Sequence, residues 1–178
     1  MKKIAFLVAF LAPALAWAEN PYAGMESRPV KALSDQQVAD LRAGRGMGLA
    51  LAAELNGYPG PSHVLDLADR LGLSAEQRTK VQEMFAAMKV ETTPIGNRLI
   101  EEESNLDRQF ATRTISPDSL RSATAAIAKT QGELREAHLK YHLLTAATLD
   151  SSQLAKYAEL RGYSSAGPMQ QQHHHHDN

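Results

Sequence analysis

The chain has 178 residues, a formal net charge of −1 and no cysteine. Without cysteine there are no disulfides and no thiol nucleophile, so stability must come from packing. A nearly balanced charge argues against nucleic acid or an anionic membrane surface as the main partner. The length suits one domain with a real core better than two.

The amino-terminal segment has the order of a secretory signal peptide. Two lysines precede an apolar run over residues 4–16, which ends in the small-x-small site Ala16-Trp17-Ala18. We expect residues 1–18 to be removed after Ala18, leaving 160 residues of net charge −3 in the periplasm. The run is shorter than the roughly 20 residues that span a bilayer, so we expect no membrane insertion after cleavage.

The next segment is rich in residues that interrupt helices. Asn20-Pro21, Gly24 and Pro29 predict an extended arm over residues 19–32. A single helical domain is then expected over residues 33–163.

Short cap motifs mark where helices begin. Ser34 stands three residues before Gln37, a spacing that lets each side chain bond the other's backbone amide in a capping box. The same pattern recurs twice, and its residues are Leu73, Ser74 and Gln77, and then Leu149, Asp150 and Gln153.

Two long apolar seams with helical spacing follow, and no strand pattern is visible. The first runs through Val81, Met84, Phe85, Met88, Ile95, Leu99, Leu106 and Phe110, and the second through Leu120, Ile127, Leu134, Tyr141 and Leu144. A turn near Thr114 predicts an antiparallel hairpin of the two helices, and a short helix from Ser151 to about Arg161 closes the fold. Pro94 predicts a kink or break between Glu91 and Gly96.

Three alternating glycines, Gly44, Gly46 and Gly48, lie between the first helix and the seams. They do not form a nucleotide loop, because no strand precedes them and no βαβ unit follows. Close approach of the backbone to a neighbouring helix is the better interpretation. A rigid connector over residues 56–61 then leads to a short helix at about His63–Leu71.

The signal peptide, the long helical hairpin and the Leu-[Ser/Thr]-x-x-Gln pattern at 73–77, repeated with aspartate at 149–153, resemble the Spy/CpxP and CnrX-like superfamily. These proteins are periplasmic stress chaperones and heavy-metal sensors. The resemblance covers roughly residues 33–163. It implies an all-α, hooked or cradle-like, often dimeric protein of about four to five helices. Such a protein binds unfolded clients, a membrane sensor or a divalent metal.

His138 and His142 lie four residues apart and therefore on one face of the second long helix. In a hairpin that turns near Thr114, mirror counting places Glu91 and Met88 opposite them. This set suits a divalent ion of copper, nickel, cobalt or zinc. The alternative is that His138 is a half-buried packing residue beside the apolar seam.

Other candidate ligands have plainer interpretations. His63 is expected to be a surface histidine near a helix cap, and Glu101, Glu102 and Glu103 are expected to form a solvated face. The tail, residues 164–178, is expected to be disordered. It is either a native metal-scavenging tract or a purification tag, and its histidines are His173, His174, His175 and His176.

No motif of enzymatic catalysis is present: there is no Gly-x-Ser-x-Gly elbow and no His-Glu-x-x-His. We therefore expect a binding protein that requires no cofactor. Leu139, Leu143 and Ala147 form a second apolar stripe that one hairpin cannot cover, which predicts a face for clients, a membrane sensor or a homodimer partner. The other hypothesis is a periplasmic heavy-metal sensor or resistance protein.

Overall fold

The computed structural model describes residues 21–163, and within this range the chain is all-helical, as its sequence predicts. The signal segment and the histidine tail lie outside the described residues. The elements are a 3-10 turn at Met25–Ser27 and the helices α1 Asp35–Arg42, α2 Leu51–Glu54, α3 Pro61–Asp66, α4 Ala68–Leu71, α5 Ala75–Ala111, α6 Pro117–Thr148 and α7 Ser151–Leu160. These seven helices exceed the expected four to five because the middle segment forms three short ones.

The predicted capping boxes are present. At the start of α5, the Ser74 hydroxyl accepts a hydrogen bond from the Gln77 amide and the Gln77 side chain accepts one from the Ser74 amide. The same reciprocal bonds join Ser34 to Gln37 before α1, and Asp150 to Gln153 before α7. Each of these three helices begins where a side chain satisfies backbone donors that have no partner inside the helix.

The two long helices, α5 and α6, pack together along much of their length. Lys140 contacts Glu91, and Thr130 contacts Glu102 further along α5. As α5 runs from Glu91 to Glu102, its contact in α6 shifts from Lys140 back to Thr130. The two helices therefore run in opposite directions. No helix within residues 21–163 is long and apolar enough to cross a membrane.

Pro94 does not end α5, which is continuous from Ala75 to Ala111. Of the kink or break predicted between Glu91 and Gly96, the break is therefore wrong. Pro94 is exposed, and Val90, whose carbonyl loses a donor to the proline, is 77% exposed. Because solvent reaches this side of the helix, water can satisfy the carbonyl, while the opposite side of α5 stays packed.

Two apolar clusters form the core, one toward each end of the helix pair. The first consists of Val30, Leu41, Leu99, Ile100, Ile127 and Leu134, and the second of Val64, Leu71, Val81, Leu149 and Tyr157. Between them, the α5 segment 85–89 and the α6 segment 138–142 face a third layer made by the short helices and their loops.

The amino-terminal arm is not simply extended. It contains the 3-10 turn, and beyond it Val30 is buried in the first core cluster. The apolar side chain is withdrawn from water there, which anchors this end of the arm to the helices.

Candidate functional site

A cavity of about 490 Å³ lies between the two core clusters. Its walls come from the loop 43–48, the start of α3, and the middle parts of α5 and α6. The side chains that line it include Met47, Glu54, His63, Met88, His138 and His142. The predicted histidine pair and the side chains of Glu54 and His63 line this cavity together.

The glycine loop approaches both long helices, as the sequence predicts. A side chain at Gly44 would meet the Thr92 hydroxyl of α5 at 2.7 Å, and one at Gly46 would meet the His138 ring of α6 at 3.5 Å. Gly44 and Gly48 have positive φ angles, and so does Met47, with φ 44°. A left-handed conformation is uncommon for a residue with a side chain and stores strain, so the loop holds Met47 in a costly position at the cavity.

His138 has a buried polar atom without a hydrogen-bond partner. It is 2% exposed, and its Nε2 atom has no hydrogen-bond partner. Burial lowers the pKa of the imidazole, and the neighbouring His142 lowers it further. The ring is therefore held neutral near pH 7, with one nitrogen free to act as an acceptor or a metal ligand.

His142 has a different role, because its Nδ1 has a hydrogen-bond partner and its Nε2 lies close to the Gly60 backbone. Its Nδ1 donates to the Tyr58 carbonyl at 2.7 Å, and a side chain at Gly60 would lie 2.8 Å from Nε2. The ring thus holds the connector between α2 and α3 against α6. The structure brings His138 and His142 to one cavity but leaves only the first unpartnered.

Glu54 is a buried carboxylate at which four elements meet. It accepts hydrogen bonds from the Gly60 amide at 3.1 Å and from the hydroxyls of Tyr157 and Tyr163. His63 lies 3.4 Å away and Arg161 3.6 Å away. Burial acts to raise its pKa, but the His63 contact and the Tyr157 and Gly60 bonds outweigh burial and lower the pKa to about 2.

Glu91 is not among the cavity-lining residues. It accepts two hydrogen bonds from Lys140, at 2.6 and 2.8 Å, and one from the Tyr141 hydroxyl at 2.9 Å. These bonds lower the pKa of Glu91, with Lys140 as the first cause. Met88 does line the cavity and is 7% exposed. Of the four predicted ligands, the structure therefore groups His138, His142 and Met88, and places Glu91 with Lys140.

Within residues 21–163 there is no group of three or more histidine, aspartate or glutamate side chains arranged to hold a metal ion. Glu102 accepts a hydrogen bond from the Thr130 hydroxyl and is half-buried, so the run of three glutamates is not wholly exposed to solvent. His63 is half-buried beside Glu54 rather than a free surface residue. The histidines of the tail lie outside the described residues.

The second apolar stripe of α6 is open to solvent. Leu143 is 57% exposed, Ala147 is exposed, and Leu139 is half-buried. On α2, which contacts α6, Leu51 is 54% exposed, and Leu55 just after it is 59% exposed. The described chain therefore leaves apolar side chains uncovered on two elements that touch each other.

Sequence reasoning missed Glu54 and Met47 as site residues. Glu54 lies between apolar neighbours in a four-residue helix, and a charged residue in such a setting is a usable signal of a buried partner. Met47 is part of the glycine segment, for which the sequence predicted only a close approach of the backbone.

Comparisons with models of known families, with curated proteins and with solved structures find no match for the chain.

Proposed function

We propose that this chain is a periplasmic, non-enzymatic binding protein of the envelope stress response, a Spy/CpxP-like chaperone or regulator that holds apolar segments of unfolded clients or of a sensor partner. The observation that carries the proposal is the open stripe on α6, in which Leu143 and Ala147 remain exposed. Exposed apolar residues in a row, on helices that pack elsewhere, are typical of a surface that buries a partner.

The chemistry of the stripe fits a partner recognised by its apolar surface rather than by its sequence. Withdrawing a leucine side chain from water contributes about 1.5–3 kcal/mol and imposes little direction on the contact. Leu51 and Leu55 on the adjoining element extend the area that a client could cover. A surface of this sort holds different clients without ATP.

The test measures suppression of aggregation. A chemically denatured test protein is diluted into buffer with and without near-stoichiometric amounts of the purified protein. We expect Leu143→Glu with Ala147→Glu to weaken protection, because a charge desolvated against an apolar client is costly. Both positions are exposed, so the fold should survive; Leu139 is half-buried and is left unchanged.

Leu120→Glu is the matched control, since Leu120 is 38% exposed on the same helix but near its opposite end. It should protect as the wild type does. Circular dichroism must show the same helix content in all variants. A folded wild type that protects none of several clients would overturn the proposal.

A second candidate function is transition-metal binding in the cavity, and one atom favours it. The Nε2 atom of His138 is buried without a hydrogen bond, in a cavity that Met88 also lines. A buried polar atom without a partner costs free energy unless something binds it. A metal ion that accepts an imidazole ligand would satisfy the atom.

Calorimetric titration with Cu(II), Ni(II), Co(II) and Zn(II) tests this function. The full chain is used with His173 to His176 replaced by alanine, so that the tail cannot bind. Stoichiometric binding that His138→Phe abolishes would support metal binding. If neither these ions nor Cu(I) binds, this second function fails and the client-binding proposal is unaffected.

A further inference from the structure

We propose that Met47, Met88 and His138 form a site for a soft monovalent ion, Cu(I) or Ag(I), an inference that rests on the second candidate function. The three residues come from the glycine loop, α5 and α6, and all line the same cavity. No two of them are neighbours in sequence, so the site exists only in the folded chain.

The available donors determine the class of ion. The described residues contain no group of histidine and carboxylate side chains arranged for a metal, and the chain has no cysteine. What the cavity offers beside imidazole is thioether sulfur, from Met47 and Met88. Thioethers are soft ligands that select Cu(I), whereas harder or borderline divalent ions favour oxygen and nitrogen.

The charge of the cavity disfavours a divalent ion more than a monovalent one. Arg45, Lys89 and Arg161 line it together with one carboxylate, Glu54. That carboxylate is already shared by two tyrosine hydroxyls and a backbone amide. Since no uncommitted anion faces the cavity, a divalent ion would meet twice the electrostatic repulsion that a monovalent ion meets.

The nitrogen ligand is His138 rather than His142. Nε2 of His138 is buried and unpartnered, while His142 donates Nδ1 to the Tyr58 carbonyl and has Nε2 against Gly60. A ligand atom must have an unshared pair that no other group occupies. Nε2 of His142 also carries an unshared pair, but Gly60 packs against that atom, which restricts the approach of an ion to it.

The glycine loop supplies the third ligand and the entrance. Gly46 packs on the His138 ring, and the next residue, Met47, lines the same cavity. Met47 is 41% exposed, whereas Met88 is 7% exposed and His138 is 2% exposed. An ion can therefore bind first at an accessible thioether and then complete its coordination with two buried ligands. The positive φ of Met47 is a cost that a bound ion would offset.

The experiment follows Cu(I) under anaerobic conditions by competition with a chromophoric Cu(I) chelator, using the full chain with His173 to His176 replaced by alanine. Met47→Leu and Met88→Leu keep side-chain volume and remove sulfur. We expect one Cu(I) per chain, and a loss of at least about tenfold in affinity for each variant, as even an outer-shell partner's loss typically causes.

Met84→Leu is the matched control, because Met84 lies one turn before Met88 on α5 and is absent from the cavity lining. It should bind as the parent does. Ag(I) added to protein with labelled methionine methyl groups gives a second readout by NMR. The signals of Met47 and Met88 should shift, and that of Met84 should not.

The results separate this inference from the function on which it rests. Divalent binding that depends on His138 but not on either methionine overturns the thioether site and leaves metal binding standing. Absence of binding for every ion overturns both. Equal Cu(I) affinity in Met47→Leu, Met88→Leu and Met84→Leu, with unshifted methyl signals, also overturns the inference.

Discussion

The side-chain amides of Gln77 and Gln153 hydrogen-bond each other in both directions. Gln77 Nε2 donates to Gln153 Oε1 at 2.8 Å, and Gln153 Nε2 donates to Gln77 Oε1 at 3.0 Å. Each Oε1 also accepts the backbone amide of its own N-cap, Ser74 or Asp150. Two capping boxes, 76 residues apart, are thereby joined into one polar network that ties the start of α5 to the start of α7.

Gln77→Ala and Gln153→Ala are each expected to lower the free energy of unfolding by about 1–2 kcal/mol, since each removes a cap bond and both hydrogen bonds between the two side-chain amides. The double variant should lose less than the sum of the two, because the first substitution already breaks the shared bonds. Urea midpoints of the four proteins in this cycle measure the coupling.

Gln37→Ala provides the control for the cap alone. Gln37 makes the same capping bond at α1, but its side chain is exposed and bonds no second helix. Gln37→Ala should lower the free energy of unfolding by less than either of the other substitutions does. Equal losses at all three glutamines, with no coupling between Gln77 and Gln153, would show that the network adds nothing beyond local capping.

The parts of the fold that the sequence predicts well depend on local chemistry. Cap residues and helical spacing act within a few residues, so the starts of α1, α5, α6 and α7 were predictable. Mirror counting across the turn placed Glu91 opposite the histidine pair, close to its actual partners, Lys140 and Tyr141. The counting could not show that these two residues, rather than His138, would contact the Glu91 carboxylate.

The features that the sequence did not predict depend on contacts between residues that are far apart in the chain. Glu54 bonds Tyr157 and Tyr163, which lie 103 and 109 residues away, and no local pattern connects them. Gln77 and Gln153 were both recognised as caps, but their pairing requires two helix starts to meet in space. Similarly, Met47 becomes a cavity residue only because its loop packs across both long helices.

Two glycines within the long helices should respond oppositely to alanine. A side chain at Gly132 of α6 would meet nothing within 4 Å, so Gly132→Ala is expected to stabilise the protein by about 0.5–1 kcal/mol. At Gly96 of α5 the added carbon would lie 2.5 Å from the Leu41 carbonyl oxygen, which is backbone and cannot rotate away. Gly96→Ala should therefore destabilise, by about 1–3 kcal/mol as overpacking does.

Thermal and urea unfolding of the two variants measure this difference. Because the substitution is the same and both sites are helical, helix propensity cancels and the contact with α1 remains. A stabilising Gly96→Ala would mean that α1 does not pack on α5 as closely as described.

The protein is expected to be a dimer, because the open stripe of α6 leaves Leu143 and Ala147 without cover inside one chain. Sedimentation velocity at micromolar concentration should show a dimer for the wild type. Leu143→Glu with Ala147→Glu should shift it toward monomer, while Leu120→Glu should not. A wild type that sediments only as monomer would contradict the expectation and reserve the stripe for clients.

The last prediction concerns acid stability and Glu54. Its pKa falls from 4.5 to about 2 in the folded protein, so the ionised form is favoured by folding. A carboxylate with a lowered pKa contributes stability that is complete above its unfolded pKa and is lost as the pH falls through the folded value. The contribution should therefore be full above about pH 5 and decline between 4.5 and 2.

The groups that face Glu54 are His63, His142, Arg161, Tyr157 and Tyr163. Glu54→Gln keeps the shape and removes the charge that these groups require, so it should be clearly less stable than the wild type at pH 7. The difference between the two proteins should shrink steadily as the pH is lowered from 5 to 2.5.

Comparing the two proteins at each pH removes the contributions of other carboxylates, such as Glu91 and Asp150, whose pKa values are also lowered. Urea midpoints at half-unit pH intervals provide the measurement. A stability gap that stays constant across this range would mean that Glu54 titrates alike in the folded and unfolded chains, and that its bonds do not depend on its charge.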